Sequence, residues 1–185
     1  AMLKLKLDKV EITVNPKSAI SKSIVYRIQM SDVNFYRWLN AIGIRSNKSL
    51  TVSTLNIPDE YYSDFLRGHL DGDGSIIRYI DRYLTKLNPT YIYERLFVYF
   101  RSASKRHMQW IQKTIQRLYH INGSLISELP NTQMGKHPVY RLKFSTKEAK
   151  ILLQLLYWNT FVPRLQRKFL IAESYLKKDK IFNAL

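Results

Sequence analysis

The sequence predicts an α+β chain built on an αββαββα unit, with one complete copy and one N-terminally truncated copy. Three observations carry this expectation. Residues 25–31 read Val-Tyr-Arg-Ile-Gln-Met-Ser, and residues 139–145 read Val-Tyr-Arg-Leu-Lys-Phe-Ser, an offset of 114 (139 − 25). Such self-similarity marks an internal repeat. Both segments alternate with period two and then run into helical patterns, the signature of a half-buried strand leading into a helix. A third segment has glycines four apart, Gly68 and Gly72, and ends in Asp71-Gly72-Asp73-Gly74.

The elements follow in order. Val10, Ile12 and Val14 alternate in a first strand. In the second, Tyr26, Ile28 and Met30 share one face and Arg27 and Gln29 the other. Ser31 is the expected cap of a helix carrying Phe35, Trp38, Leu39 and Ile42 inward. Residues 44–57 form a link. Pro58 and Asp59 open the glycine-bearing helix, and Asp-Gly-Asp-Gly closes it. A strand spans 75–83, with its outward side contested between Arg78 with Arg82 and Tyr79 with Asp81. After a loop with Asn88-Pro89, the strand from 94 to 101 puts Leu96, Val98 and Phe100 inward. Arg95, Phe97, Tyr99 and Arg101 then face outward. A helix over 104–120 has the stripe Met108, Ile111, Ile115, Leu118, Tyr119. Residues 123–128 make a weaker strand. The repeat strand at 139–145 places Tyr140, Leu142 and Phe144 inward and Arg141 and Lys143 outward. Ser145 with Glu148 suggests a capping box for the next helix. A last helix begins near Arg164. The expected division is a partial repeat over 1–56 and a complete one over 57–185.

Composition bounds the function. At 185 residues with 45% hydrophobic and 13% aromatic content, the chain can bury a core and is not a disordered basic tail. Thirty Lys and Arg against 14 Asp and Glu give a formal charge of +16, which favours a polyanionic partner. Residues 1–74 hold 10 basic and 8 acidic side chains, a balance of +2. Residues 75–185 hold 20 and 6, a balance of +14. The absence of cysteine excludes disulfides, thiol catalysis and thiolate zinc sites. No apolar run approaches the ~18 residues of a membrane span, and no secretion signal is visible. A membrane-surface role predicts a basic amphipathic helix, whereas many basic residues here fall on strands. The expected setting is intracellular, in cytoplasm, nucleoid or organelle, and not secreted.

The segment Asp64-Phe65-Leu66-Arg67-Gly68-His69-Leu70-Asp71-Gly72-Asp73-Gly74-Ser75 is the sharpest local signal. Gly68 and Gly72 lie on one helix face and permit close approach of another helix backbone. Carboxylates at a helix C-terminus oppose its dipole, at a cost of a few tenths to ~1 kcal/mol each. A divalent cation is the natural compensation. An EF-hand loop is excluded, because the twelfth residue from Asp71 is Arg82 and the glycine falls two positions early. A plain Asp-Gly turn is the structural alternative. The four histidines lack metal-ligand spacing.

Leu66 to Gly74 resembles the LAGLIDADG motif of homing endonucleases in its Leu, Gly, Asp and Asp-Gly positions, with Arg67 in place of Ala and His69 in place of Leu. The element order from 59 to about 178 is similar to that family's repeat. The resemblance implies two motif helices packed face to face through positions such as Leu66, Gly68, Leu70 and Gly72. It also implies two four-stranded sheets forming a basic saddle on double-stranded DNA. Asp73 would be the metal ligand and catalytic carboxylate, with the Gly72 carbonyl as a further ligand, while Asp71 caps or orients the turn. The hard oxygen donors suit Mg²⁺, or another divalent cation such as Mn²⁺. The basic helper would be Lys168, with Arg167 second, and Ser104 and Lys105 would touch the solvent network. Base readout is expected from Arg78, Arg95, Tyr99, Arg101, Lys105, Arg141 and Lys143, with Arg27 and Gln29 in the partial repeat.

The implied activity is site-specific, divalent-metal-dependent double-strand cleavage, as in intron or intein mobility. The equivalent of Asp73 in the first repeat would precede residue 1, so one motif helix and one carboxylate are expected. The chain would then join a missing first-motif segment, form a homodimer through the Gly68 face, or act as a non-cleaving DNA-binding or RNA-maturase protein of the same fold.

Overall fold

The structure, a computed structural model, describes residues 9–15, 23–29, 31–46, 48–128, 137–159 and 161–177. It forms two compact units, 1–44 and 45–185. In the first, β1 (Lys9–Asn15) and β2 (Ser23–Gln29) make an antiparallel hairpin, with Glu11 opposite Arg27 and Lys9 opposite Gln29. The readings of Arg27 and Gln29 as base contacts concern side chains outside the described part of the hairpin. Met30 lies outside it too. The helix α1 (Val33–Ala41) follows. Asp32, not Ser31, is its cap: the extended backbone at Asp32 lets its carboxylate accept from the Phe35 N–H at 2.8 Å. Ser31 lies one residue too early for that bond.

The second unit contains α2 (Tyr62–Asp73), β3 (Ser75–Asp81), β4 (Tyr93–Ser102), α3 (Lys105–Tyr119), β5 (Ser124–Glu128), β6 (Val139–Ser145), α4 (Thr146–Leu156) and α5 (Gln166–Leu176). A 3-10 turn at Asp59–Tyr61 leads into α2. The strands form one antiparallel sheet in the order β3-β4-β6-β5. Period two decides its faces. Ile76, Leu96, Val98, Phe100, Leu142 and Phe144 point to the helical side and are buried. Against them pack Tyr62, Leu66 and Leu70 of α2 and Met108, Ile111 and Ile115 of α3. Leu152, Leu153 and Leu156 of α4 and Phe169, Ala172 and Leu176 of α5 complete the core. The i, i+4 spacing in α2 and the i, i+3, i+4 spacing in α3 and α4 create those apolar stripes.

One expectation is corrected here, the cap of α4. The compact units meet between Ile44 and Arg45. Residues 45–56 belong to the second unit because the chain there is tied to the start of α3. Ser104 Oγ donates to the Val52 carbonyl, His107 Nδ1 lies 2.8 Å from the Ser53 carbonyl, and Leu55 is buried. Ser145 occupies the cap position of α4 but accepts no capping hydrogen bond, so the proposed box with Glu148 does not form.

Candidate nucleic-acid interface and motif helix

The helix α2 begins with acid, Asp59 and Glu60 in the preceding turn and Asp64 in its own first turn, where the dipole favours it. Its C-terminal end is also acidic, and no basic residue lies in its last turn. Two faces result. Leu66 and Leu70 are fully buried in the core, which corrects their assignment to the helix–helix face. Gly68 and Gly72 are exposed, and a Cβ built at either would meet no atom within 4 Å. The glycine face is therefore open among the described residues. Gly74 is the tight point. A Cβ there would lie 2.7 Å from the Tyr99 carbonyl oxygen and 2.8 Å from that of Leu70. Close packing onto β4 requires glycine at this position. The chain enters β3 at the end of β4 that carries Tyr99 and Arg101. Asp73, exposed, sits at that same end.

Arg67, which replaces the small residue of the motif, is 5% exposed. Its Nε donates to the Pro163 carbonyl at 2.9 Å, its Nη1 to the Leu156 carbonyl at 3.1 Å, and its Nη2 to the Asp64 carboxylate. It ties α2 to the end of α4 and to the segment before α5. A guanidinium suits this place, because its planar fork serves three acceptors at once.

Lys168, the expected basic helper, is buried. It is 3% exposed. Its ammonium donates to the carbonyls of Leu70 at 2.6 Å, Asp71 at 2.8 Å and Gly74 at 2.7 Å. An ammonium has three protons, and all three are used. Burial, followed by the neighbouring Arg167 charge, lowers its pKa, while Asp71 and Asp73 act in the opposite sense. Lys168 thus brings a positive charge to the carbonyl end of α2. Asp71 completes the clamp. One carboxylate oxygen accepts from the Tyr157 hydroxyl at 2.7 Å and the other from the Leu165 N–H at 2.8 Å, at the start of α5. Burial and this acceptor raise the Tyr157 pKa. Arg167, next to Lys168, is exposed.

The outward face of the sheet carries Ile77, Tyr79, Tyr93, Phe97, Tyr99, Ile126 and the long cations. Lys143 lies over the Phe97 ring at 4.2 Å, Arg141 over Tyr99 at 4.7 Å and Arg95 over Tyr93 at 5.2 Å. Arg95 also pairs with Asp81 at 3.1 Å. Arg141 and Arg101 reach Glu128 at 2.8 and 3.5 Å. Three candidates change. Arg78 turns to the helical side, where it pairs with Glu94 and donates to Ser174 Oγ of α5 at 2.7 Å. Its register partner Leu96 is a core residue, so Arg78 cannot read bases. Tyr99 is on the outward face but only 8% exposed, covered by Arg141. Lys105 is exposed at the first position of α3, not on a strand. Ser104 is buried and caps α3, accepting from the His107 N–H.

One feature carried no sequence signal. His69 and His107 stack at 5.5 Å within a cluster of Phe65, Phe100 and Trp110. Burial, then the His107 charge, pushes His69 down to about 4. Burial also lowers His107. Their partners come from distant strands and helices, so spacing along the chain could not reveal them.

No family model and no curated protein matches the sequence. The structure is similar to the homing endonuclease I-CvuI in complex with its target Sro1.3 in the presence of 2 mM Ca. The TM-score is 0.43 and the identity 20%, and 69% of each chain is covered. It is also similar to I-CvuI in complex with the I-CreI target C1221 in the presence of 2 mM Mg, where the DNA is not cleaved. There the TM-score is 0.40 and the identity 20%, with 64% of this chain and 66% of that chain covered. Both neighbours are homing endonucleases, the class whose motif Leu66 to Gly74 resembles.

Proposed function

We propose that the chain is a metal-dependent DNA endonuclease of the homing type, reading a long duplex through the outward face of the β3–β6 sheet. The observation that carries this is a juxtaposition. The exposed Asp73 stands at the end of β4 bearing Arg101, opposite which stands Arg141. A phosphate backbone drawn to those cations would be brought to that carboxylate.

Asp73 and the Gly72 carbonyl are hard oxygen donors. Among the described residues no three acidic or histidine side chains gather to hold an ion alone. That donor set fits Mg²⁺ or Mn²⁺ shared with a substrate phosphate, since Mg²⁺ commonly takes one or two carboxylates and keeps water or phosphate for the rest. A bound cation would supply Lewis acidity and an activated water. The other work falls to the chain itself. Lys168 and Asp71 fix the end of α2, and so the position of Asp73. Arg167 is the accessible cation there and becomes the candidate for meeting phosphate charge. Lys143, Arg95, Arg101 and Arg141 orient the duplex, with the charged heads of Lys143, Arg95 and Arg141 seated over Phe97, Tyr93 and Tyr99.

A second reading, duplex binding without cleavage, is favoured by the Gly68 face, which is open among the described residues. Cutting two strands takes a second motif helix. It would come from another copy of this chain or from a further segment. Either reading sets the chain inside the cell or an organelle, where DNA lies. Among the described residues no helix is long and apolar enough to cross a membrane.

The test is incubation of a randomised duplex pool with Mg²⁺ or with chelator, followed by sequencing of the new ends. The proposal expects ends at one preferred sequence, absent under chelator. Selective retention of one sequence without cleavage would instead establish the second reading. No selectivity of either kind would contradict both.

A further inference from the structure

The outward sheet face is basic, yet an acid stands within it. Register sets Arg101 of β4 directly opposite Arg141 of β6. Like charges so placed repel. Glu128, at the end of β5 and two residues from the partner of Arg141, resolves this. One of its oxygens lies 2.8 Å from Arg141 Nη2, and the other 3.5 Å from Arg101 Nη2. The triad is only partly screened by solvent: the side chains of Arg141, Glu128 and Arg101 are 25%, 34% and 47% exposed. Arg141 is held from below as well, its guanidinium carbon 4.7 Å from the centre of the Tyr99 ring. Among the described residues its Nε is buried without a partner, so Glu128 and the ring set its direction there.

We propose that Glu128 is a specificity-determining residue of this surface, resting on the reading of the sheet as the DNA-binding face. Two physical effects follow from its position. A carboxylate beside the backbone track repels phosphate, which reduces the sequence-independent part of the attraction. The same carboxylate holds two guanidiniums in fixed directions before DNA arrives. Bidentate recognition of guanine O6 and N7 depends on that geometry, and pre-ordering removes an entropic cost from the correct complex. Neutralising Glu128 should therefore tighten binding to random duplex and loosen discrimination together.

The experiment compares the full chain with Glu128→Gln, which keeps the shape and loses the charge. Glu60→Gln, in the turn before α2, controls for net charge, and Lys143→Ala controls for the DNA-binding face. Each binds random duplex and a duplex selected from a randomised pool, over a range of salt. Glu128→Gln should bind random duplex roughly tenfold more tightly, with a salt slope steeper by about one. Its preference for the selected duplex should fall by a similar factor, with Glu60→Gln at wild type on both counts. Unchanged or weaker random binding by Glu128→Gln overturns the proposal, as does tighter binding with an unchanged preference. If Lys143→Ala leaves random binding unchanged, the DNA-face reading itself fails. Thermal unfolding of each variant separates these outcomes from loss of fold.

Discussion

Lys168 and Arg67 show how much of this molecule rests on single cations bonded to backbone carbonyls. Lys168→Met would leave the carbonyls of Leu70, Asp71 and Gly74 without their donor. A loss of about 3 kcal/mol is expected in denaturant unfolding, with slope unchanged. Arg67→Ala should cost a similar ~2–4 kcal/mol, because it strands the Leu156 and Pro163 carbonyls. His69 sets the acid limit. Its folded pKa of about 4 lies below the ordinary 6.5, so between those values the unfolded chain binds more protons. Stability is then lost as pH falls from about 6.5 towards 4, by roughly 3 kcal/mol. Replacing His69 with Leu should flatten that fall in pH-dependent unfolding. The sequence pointed to the neighbourhood of Lys168 but not to its role. Its acceptors are backbone atoms almost a hundred residues away, and no side-chain pattern encodes them.

At the level of elements, α2 and α5 are held end to end. Lys168 of α5 closes the carbonyl end of α2, and Asp71 of α2 accepts from the Leu165 N–H where α5 begins. Asp71→Asn should weaken the docking from one side and Lys168→Met from the other. Amide exchange in residues 70–74 should quicken in both variants, while β4 and β6 stay protected. The strands are legible because β4 and β6 are interior strands with a largely apolar face at Leu96, Val98, Phe100, Leu142 and Phe144, so period two is clear. The exception, β3, lies at the sheet edge, where Ile77, Tyr79 and Ile80 are all exposed. Without a contrast between faces the direction of Arg78 could not be read, and its partner Ser174 lies 96 residues on. The cap of α1 falls one residue beyond the expected Ser31, because Ser31 and Asp32 are both good caps. Only the backbone angle at Asp32 decides between them.

For the whole molecule, the charge now has a place and a restraint. The outward sheet face holds Arg95, Arg101, Arg141 and Lys143, yet Asp81 and Glu128 pair with three of these four. Net charge alone could not disclose that internal pairing, since it counts both signs without location. The open glycine face of α2 has a consequence for association. If cleavage takes two copies, sedimentation should show concentration-dependent growth beyond 22.0 kDa, and Gly68→Leu should abolish it without unfolding the chain, since no atom lies within 4 Å of a Cβ there. The central proposal is Asp73 as the carboxylate of a DNA-cutting site beside a DNA-binding sheet. The most direct measurement is cleavage and binding of the selected duplex in Mg²⁺ by the wild type and by Asp73→Asn. The account predicts that the wild type cuts and that Asp73→Asn binds with similar affinity but cuts at least a hundredfold more slowly, on the order expected for loss of a metal ligand. Equal cleavage by both would contradict it.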